Sequence, residues 1–217
     1  GIILSMGVSF ALTMVFWKKF ALGREDGPEK KDAGRAEGTE TASDMEISRK
    51  IEMPQEIERT REIITELYVP MKGQVLDVGQ SADEVFASKA LGDGVAINPA
   101  EGMVCAPCDG TISLLFPTKH AVGITSETGV EVLIHIGINT VQLDGQGFEA
   151  FVAQGDKVKK GNKLIAADLD LIREKGLNPQ TMMILPEGGN LDVTVYPGGQ
   201  ADSGDLAVKA VKTVKTA

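Results

Sequence analysis

Residues 129–141 read GVEVLIHIGINTV, a β-branched run that carries His135, one of only two histidines in the chain. The other histidine, His120, lies fifteen residues earlier in TKHAVGITSETG, so the turn-forming letters SETG separate two strand-like segments. A two-residue loop within SETG would place His120 directly opposite His135 in an antiparallel hairpin. If Gly129 forms a bulge instead, the register shifts by one residue and the imidazoles remain cross-strand neighbours. The sequence therefore predicts a pair of adjacent imidazoles.

Alternation along the second strand assigns its side chains to two faces. His135 shares its face with Glu131 and Leu133, and the opposite face carries only aliphatic residues, Val132, Ile134 and Ile136. A neutral histidine beside a second imidazole, in a partly apolar depression, is suited to nucleophilic attack on phosphorus. The second imidazole would donate a hydrogen bond to the phosphoryl oxygens as charge develops.

Two plainer interpretations of the histidine pair remain open at this point. Both imidazoles would be ordinary hydrogen-bonded side chains in the first, and the ligands of a metal ion in the second. No third histidine exists and no nearby carboxylate has ligand spacing, so the sequence predicts no metal site.

The composition predicts an all-β protein that does not bind nucleic acid. A net charge of −9 and a pI near 4.8 disfavour a phosphate backbone as partner. The chain has 25 glycines and 9 prolines, and its strand-like segments recur about every 8 to 12 residues, the spacing of an antiparallel sandwich or barrel. Only residues 81–90 and 168–175 favour short helices.

The first segment differs in character from the rest. Residues 1–16 are apolar and uncharged, and Trp17, Lys18 and Lys19 follow them. As a helix they span roughly 24 Å, less than a ~30 Å hydrocarbon core. We expect residues 1–19 to be the truncated end of a transmembrane helix, with a buried soluble helix as the alternative. Residues 20–66 are predicted to be an acidic flexible linker, residues 67–213 the folded domain and residues 214–217 a tail.

Two other motifs, a C-x-x-C pair and a carrier-like turn, are candidate functional sites. Cys105 and Cys108 form C-x-x-C, but a turn rather than a helix follows them and no second pair exists, so packing against strands is the expected role. The segment GDKVKKGNKL, with APCDGT before it, resembles the hammerhead turn of biotinyl and lipoyl carriers. The tenth residue after Gly161 is Leu171 rather than the lysine that carries their cofactor. We therefore expect a related β topology without a swinging arm.

The run at residues 129–141 also resembles the signature of the glucose-type enzyme IIA domain of the bacterial sugar phosphotransferase system. Further similarity extends over about residues 67–211 and includes VFASKALGDGVAINP, APCDGTI and FPTKHAVGIT. The resemblance implies an antiparallel β-sandwich or barrel of the duplicated hybrid type, with no cofactor. It also implies that the histidine-containing phosphocarrier protein phosphorylates His135 at Nε2, and that His135 then passes the phosphoryl group to an enzyme IIB cysteine.

The same resemblance implies roles for neighbouring residues. His120 matches the second active-site histidine, and Thr118 matches the threonine two residues before it. The expected partner-binding residues are Asp83, Val85, Phe86, Leu91, Phe116, Leu133, Gly137 and Asn139. Asn139 stands where the family usually has aspartate, and this change weakens the attraction to a basic partner while leaving transfer from His135 intact.

The N-terminal segment resembles the end of the membrane-spanning enzyme IIC domain. This resemblance implies a permease at the cell membrane, with the IIA domain on the cytoplasmic side and IIB upstream of IIC, as in β-glucoside-type permeases. The alternative functions are a regulatory module whose docking depends on phosphorylation of His135, and a biotinyl or lipoyl carrier-like domain.

Overall fold

The computed structural model of the chain describes residues 59–186 and 191–216. Within them the strands are β1 (Arg59–Tyr68), β2 (Gly73–Asp77), β3 (Asp93–Pro99), β4 (Met103–Cys105), β5 (Gly110–Leu115), β6 (Ala121–Ser126), β7 (Glu131–His135), β8 (Phe148–Ala150), β9 (Lys157–Val158), β10 (Lys163–Ala167), β11 (Thr181–Leu185), β12 (Leu191–Val195), β13 (Gly199–Ala201) and β14 (Leu206–Thr216). Two short α-helices, α1 (Glu84–Ala87) and α2 (Leu169–Glu174), and two 3₁₀ helices (Val78–Gln80 and Thr140–Leu143) complete the described part.

The strands form three antiparallel sheets. The largest has eight strands in the order β13-β2-β3-β11-β7-β6-β5-β9, and the smaller two have the orders β1-β14-β12 and β4-β10-β8. Val132 and Ile134 of β7, and Ile136 directly after it, belong to the buried core, as their alternation predicted. The all-β prediction is confirmed, and the two short α-helices lie within the two segments that favoured helix.

The hairpin of β6 and β7 adopts the bulged register. Ala121, not His120, pairs with His135, and the loop closes with the Ser126 amide donating to the Val130 carbonyl at 2.9 Å. Gly129 has a φ of 81°, a left-handed conformation that glycine adopts without steric cost. The prediction of a two-residue loop is therefore wrong, and the alternative with a Gly129 bulge is confirmed.

The folded domain is longer at both ends than the sequence predicted. β1 begins at Arg59, within the expected linker, and β14 runs to Thr216, within the expected tail. The two strands pair along their whole length, from Arg59 opposite Thr216 to Tyr68 opposite Leu206. Charged residues on the exposed face of β1 concealed the strand pattern, because they gave residues 59–66 the overall composition of a linker.

β1 also contacts the histidine hairpin. The hydroxyl oxygens of the buried Thr65 and of Thr128, in the β6–β7 loop, lie 2.5 Å apart. Thr128 in turn lies 2.8 Å from the Ser126 hydroxyl, which accepts a hydrogen bond from the Val130 amide. The first strand of the domain therefore holds the turn that determines the hairpin register.

The C-x-x-C motif has one partly exposed and one buried cysteine. Cys105 is on β4, Cys108 is buried in the core, and both are free thiols. Burial, together with the nearby Asp109 and Glu127 carboxylates, raises the pKa of Cys108 to about 12, which opposes redox chemistry. The packing role expected for Cys108 is confirmed. At the carrier-like motif, the position that would need a lysine is Leu171, a residue of α2.

The predicted membrane segment, residues 1–19, lies outside the described residues. Among those that are described, no helix has the length and apolar character needed to cross a membrane.

Candidate functional site

His135 lies on the face of the large sheet that is turned away from the core. Strand pairing places Ala96, Met182, His135 and Ala121 in one row across β3, β11, β7 and β6. The adjacent row contains Gly94, Ile184, Leu133 and Gly123. Glycine and alanine occupy both flanks, so the central side chains lie in a depression between small residues.

Helix α1 covers part of this depression. Its N-terminus forms because the Asp83 carboxylate accepts hydrogen bonds from the amides of Val85 at 2.8 Å and Phe86 at 3.3 Å. Phe86 points inward and is 1% exposed, with its ring centroid 5.4 Å from that of His135. The helix therefore places an aromatic ring against the imidazole and excludes water from that side.

The two histidines are in direct contact. Their ring centroids are 5.0 Å apart and the rings are nearly perpendicular, at 81°. His120 lies one residue before β6 and directly follows Lys119, whose φ of 56° turns the backbone. Phe116 packs against His120 at 5.3 Å between centroids. Both imidazoles are buried, so each is shielded on one side by the other histidine and on another by a phenylalanine.

Burial keeps both histidines neutral near pH 7. Desolvation lowers the pKa of His135 to about 4, against an opposing hydrogen bond to the Gly137 backbone. Desolvation, reinforced by the neighbouring His135, lowers the pKa of His120 to about 3. A neutral imidazole keeps one nitrogen lone pair available as a nucleophile, whereas an imidazolium has none.

Each imidazole has a polar neighbour. The Gly137 backbone favours the protonated form of the His135 ring and so opposes part of the effect of burial on its pKa. The Thr118 hydroxyl lies 2.6 Å from Nδ1 of His120. The Thr118 hydroxyl thereby orients the ring of His120, and the ring of Phe86 packs against that of His135.

The loop after β7 is rigidly supported. Gly137 and Asn139 have φ angles of 74° and 61°, both left-handed, and the exposed Asn139 makes no side-chain cap to the 3₁₀ helix that follows. The Ile138 amide donates to the Asn178 carbonyl at 2.7 Å, and the Thr140 hydroxyl donates to the Ile136 carbonyl. Asparagine tolerates the left-handed conformation well, so the backbone here does not require the aspartate that the family usually has.

The expected partner-binding residues divide into an exposed and a buried group. Val85 is 44% exposed, and Leu91 and Phe116 are partly exposed. Phe86 and Leu133 are 1% and 2% exposed, so they lie beneath the surface and support it. A partner would therefore contact mainly Val85, Leu91 and Phe116, and this use of the surface stays a prediction.

Sequence reasoning missed the residues that reach the site from distant strands. Met182 on β11 pairs with His135 across 47 positions of sequence, and Ala96 on β3 completes the row. Nothing local marks either residue, because strand pairing between distant segments is not encoded in a short motif. Among the described residues, no group of His, Cys, Asp or Glu side chains is arranged to hold a metal ion.

Fold and site together define an all-β protein with a buried pair of neutral histidines beside an apolar surface. Residues 65–190 match the family model described as phosphoenolpyruvate-dependent sugar phosphotransferase system, EIIA 1. The chain belongs to this family and is a phosphotransferase component of that system.

Curated relatives and a solved structure agree with this assignment. The chain is 40% identical over 150 residues to the "PTS system glucoside-specific EIICBA component" of Staphylococcus carnosus, covering 67% of this chain and 22% of that protein. It is 49% identical over 119 residues to the "PTS system glucose-specific EIIA component" of Bacillus cereus, covering 55% and 72%. The glucose permease IIA from Mycoplasma capricolum superposes with a TM-score of 0.64 at 38% identity, over 68% of this chain and 96% of that one.

The EIICBA relatives are much longer than this chain. The chain spans about a fifth of the length of the EIICBA relatives that it matches. Their names give the component letters in the order C, B, A, whereas the resemblance to β-glucoside-type permeases predicts IIB upstream of IIC. The order of the domains outside this chain stays a prediction.

Proposed function

We propose that His135 carries a phosphoryl group between the histidine-containing phosphocarrier protein and a cysteine of an enzyme IIB domain. The observation that carries the proposal is the contact between two buried, neutral imidazoles, one of which is oriented by Thr118. A histidine with a purely structural role does not require a second imidazole at 5.0 Å or an apolar surface beside it.

The hydrogen bonds favour one assignment of the ring nitrogens. We assign the proton of the neutral His135 ring to Nδ1, because Nδ1 is buried and the attacking nitrogen has to meet the partner. Nε2 then bears the lone pair that attacks phosphorus. If the Thr118 hydroxyl donates to Nδ1 of His120, the remaining proton of His120 is on Nε2 and is available to the phosphoryl oxygens.

The transfer consists of two successive displacements at phosphorus, and in each of them one bond to phosphorus forms as another breaks. In the first, Nε2 of His135 forms a bond to phosphorus while the bond from phosphorus to the carrier's imidazole breaks. In the second, a cysteine thiolate of IIB forms a sulfur–phosphorus bond, and the pair of electrons of the nitrogen–phosphorus bond returns to Nε2. Nδ1 keeps its proton throughout, and the Gly137 backbone, which favours the protonated ring, stabilises the charge that develops on it.

We further propose that this domain operates on the cytoplasmic side of a cell membrane, in one chain with IIB and IIC domains. The names of the EIICBA relatives support this arrangement. In this arrangement the membrane domain recognises the sugar, and the domain that carries His135 supplies the phosphoryl group.

Phosphorylation of the wild-type chain is the direct test. We expect incubation with labelled phosphoenolpyruvate, enzyme I and the phosphocarrier protein to attach one phosphoryl group per chain, labile in acid as a phosphoramidate is. Adding a purified IIB domain should then remove the label from this chain and place it on the IIB cysteine. The absence of labelling would refute the proposal, and labelling without onward transfer would favour a regulatory role.

The division of labour between the histidines gives a second prediction. We expect His120→Ala to be labelled completely at long times but to transfer the group to IIB about a hundredfold more slowly, because a donor to the developing charge is lost. Thr118→Val is the matched control, since it removes only the hydroxyl that orients His120, and a smaller loss of rate is expected. Loss of labelling in His120→Ala would contradict these roles.

A further inference from the structure

Gln180 is a buried polar residue outside the histidine pair, and no sequence motif marks it. Gln180 directly precedes β11 and is only 4% exposed. It lies between two segments that border the site. Its side-chain oxygen accepts hydrogen bonds from the Ser81 hydroxyl at 3.0 Å and from the Ala82 amide at 2.8 Å. Both donors belong to the loop that leads into α1.

From Gln180 a continuous series of hydrogen bonds reaches the ring that covers His135. The Ser81 hydroxyl, besides donating to Gln180, accepts from the Asp83 amide at 3.2 Å. Asp83 caps α1 by accepting from the amide of Phe86, and the ring of Phe86 lies against His135. α1 has four residues, too few to be stable alone, so its position depends on this loop.

The same segment also supports the opposite border of the site. The backbone amide of Gln180 donates to the Asn178 side-chain oxygen at 2.9 Å, and the backbone carbonyl of Asn178 accepts from the Ile138 amide in the loop after His135. On its outer side, Gln180 donates through Nε2 to Asn98 at 2.9 Å. One residue thus joins α1, the loop after His135 and β3.

We propose that Gln180 is a positioning residue that holds α1 and its Phe86 ring over His135 and so protects the phosphorylated histidine from water. This inference rests on the proposed phosphorylation of His135. Gln180 acts through α1, without touching the reacting atoms. A phosphoramidate hydrolyses when water reaches it, so the lifetime of the phosphorylated chain measures how firmly α1 is held.

The test compares phosphohistidine lifetimes after the phosphocarrier protein has been removed. Gln180→Met keeps the length of the side chain but removes both polar atoms, and we expect the lifetime to fall about tenfold because two hydrogen bonds to the α1 loop are lost. Ser81→Ala removes one of these bonds together with the link to Asp83, and a smaller decrease is expected. Asn98→Ala removes the contact on the other side of Gln180 together with the hydrogen bond from Asn98 to Gln74, leaves both bonds to the α1 loop in place, and should leave the lifetime unchanged.

Two further measurements separate positioning from general damage. Thermal unfolding shows whether Gln180→Met folds, and if it does not, Ser81→Ala carries the test. The pKa of His135, followed by NMR, should move toward its ordinary value in both variants as the Phe86 shield loosens. Unchanged lifetimes in the folded Gln180→Met and Ser81→Ala variants, or an equal decrease in Asn98→Ala, would overturn the inference. Failure of the wild type to take up phosphate would instead refute the proposed function.

Discussion

His135→Gln is expected to abolish phosphoryl labelling altogether, because the amide offers no nucleophilic nitrogen to phosphorus. Glutamine is long enough to fill much of the imidazole volume, and the loop after β7 keeps the hydrogen bonds of Ile138 and Thr140 that support it. The label should therefore fall from one group per chain to the background level while the fold persists. Circular dichroism and the unfolding temperature would verify that persistence.

The small number of histidines makes this experiment decisive. The chain holds only His120 and His135, so acid-labile label has no third histidine on which to appear. His120→Gln serves as the matched control, because it removes the other imidazole from the same depression and should still be labelled. Equal labelling of His135→Gln and wild type would show that His135 is not the acceptor.

Acid should destabilise the wild-type fold strongly below about pH 6.5. Burial lowers the pKa of His135 to about 4 and that of His120 to about 3, whereas both groups return to about 6.5 when the chain unfolds. Between these values the unfolded state binds protons that the folded state does not, so the stabilisation is complete above pH 6.5 and is lost as the pH falls. Because the unfolded histidines are half protonated at pH 6.5, the two together correspond to about 3 kcal/mol lost between pH 6.5 and 5.

Urea unfolding at pH 7, 6 and 5 would measure this loss. The double variant His120→Gln, His135→Gln retains every carboxylate of the wild type. The two proteins therefore differ in how steeply the free energy of unfolding depends on pH only through the two imidazoles. We expect the free energy of unfolding of the double variant to change much less over the same range. Parallel curves for the two proteins would show that the imidazoles are not held neutral by burial.

Local chemistry made the centre of the site predictable. The letters SETG allowed only a tight turn, and Gly129 suited the left-handed bulge that the structure adopts, so the two histidines could be paired from sequence. Alternation correctly separated His135 from the core-facing residues of β7. Both inferences depended on residues that are close together in the chain.

The parts that escaped prediction depend on contacts between distant segments. Met182 lies opposite His135, and Gln180 supports α1, because β11 inserts between β3 and β7. No short pattern encodes such an insertion, since the strand order in a sheet follows from packing of the whole chain. β1 was missed for a different reason. Its charged side chains lie on an exposed face, and its backbone forms a strand because it pairs with β14.

The pairing of Arg59 with Thr216 determines how this domain bears mechanical load. Because the first and last described strands are antiparallel, a pull on these two ends would open their ladder one pair at a time instead of shearing all of the pairs together. Peeling would reach Thr65, the contact with the histidine hairpin, only after six pairs had separated. Tension that separates only the outermost pairs would therefore leave the geometry of the two imidazoles intact.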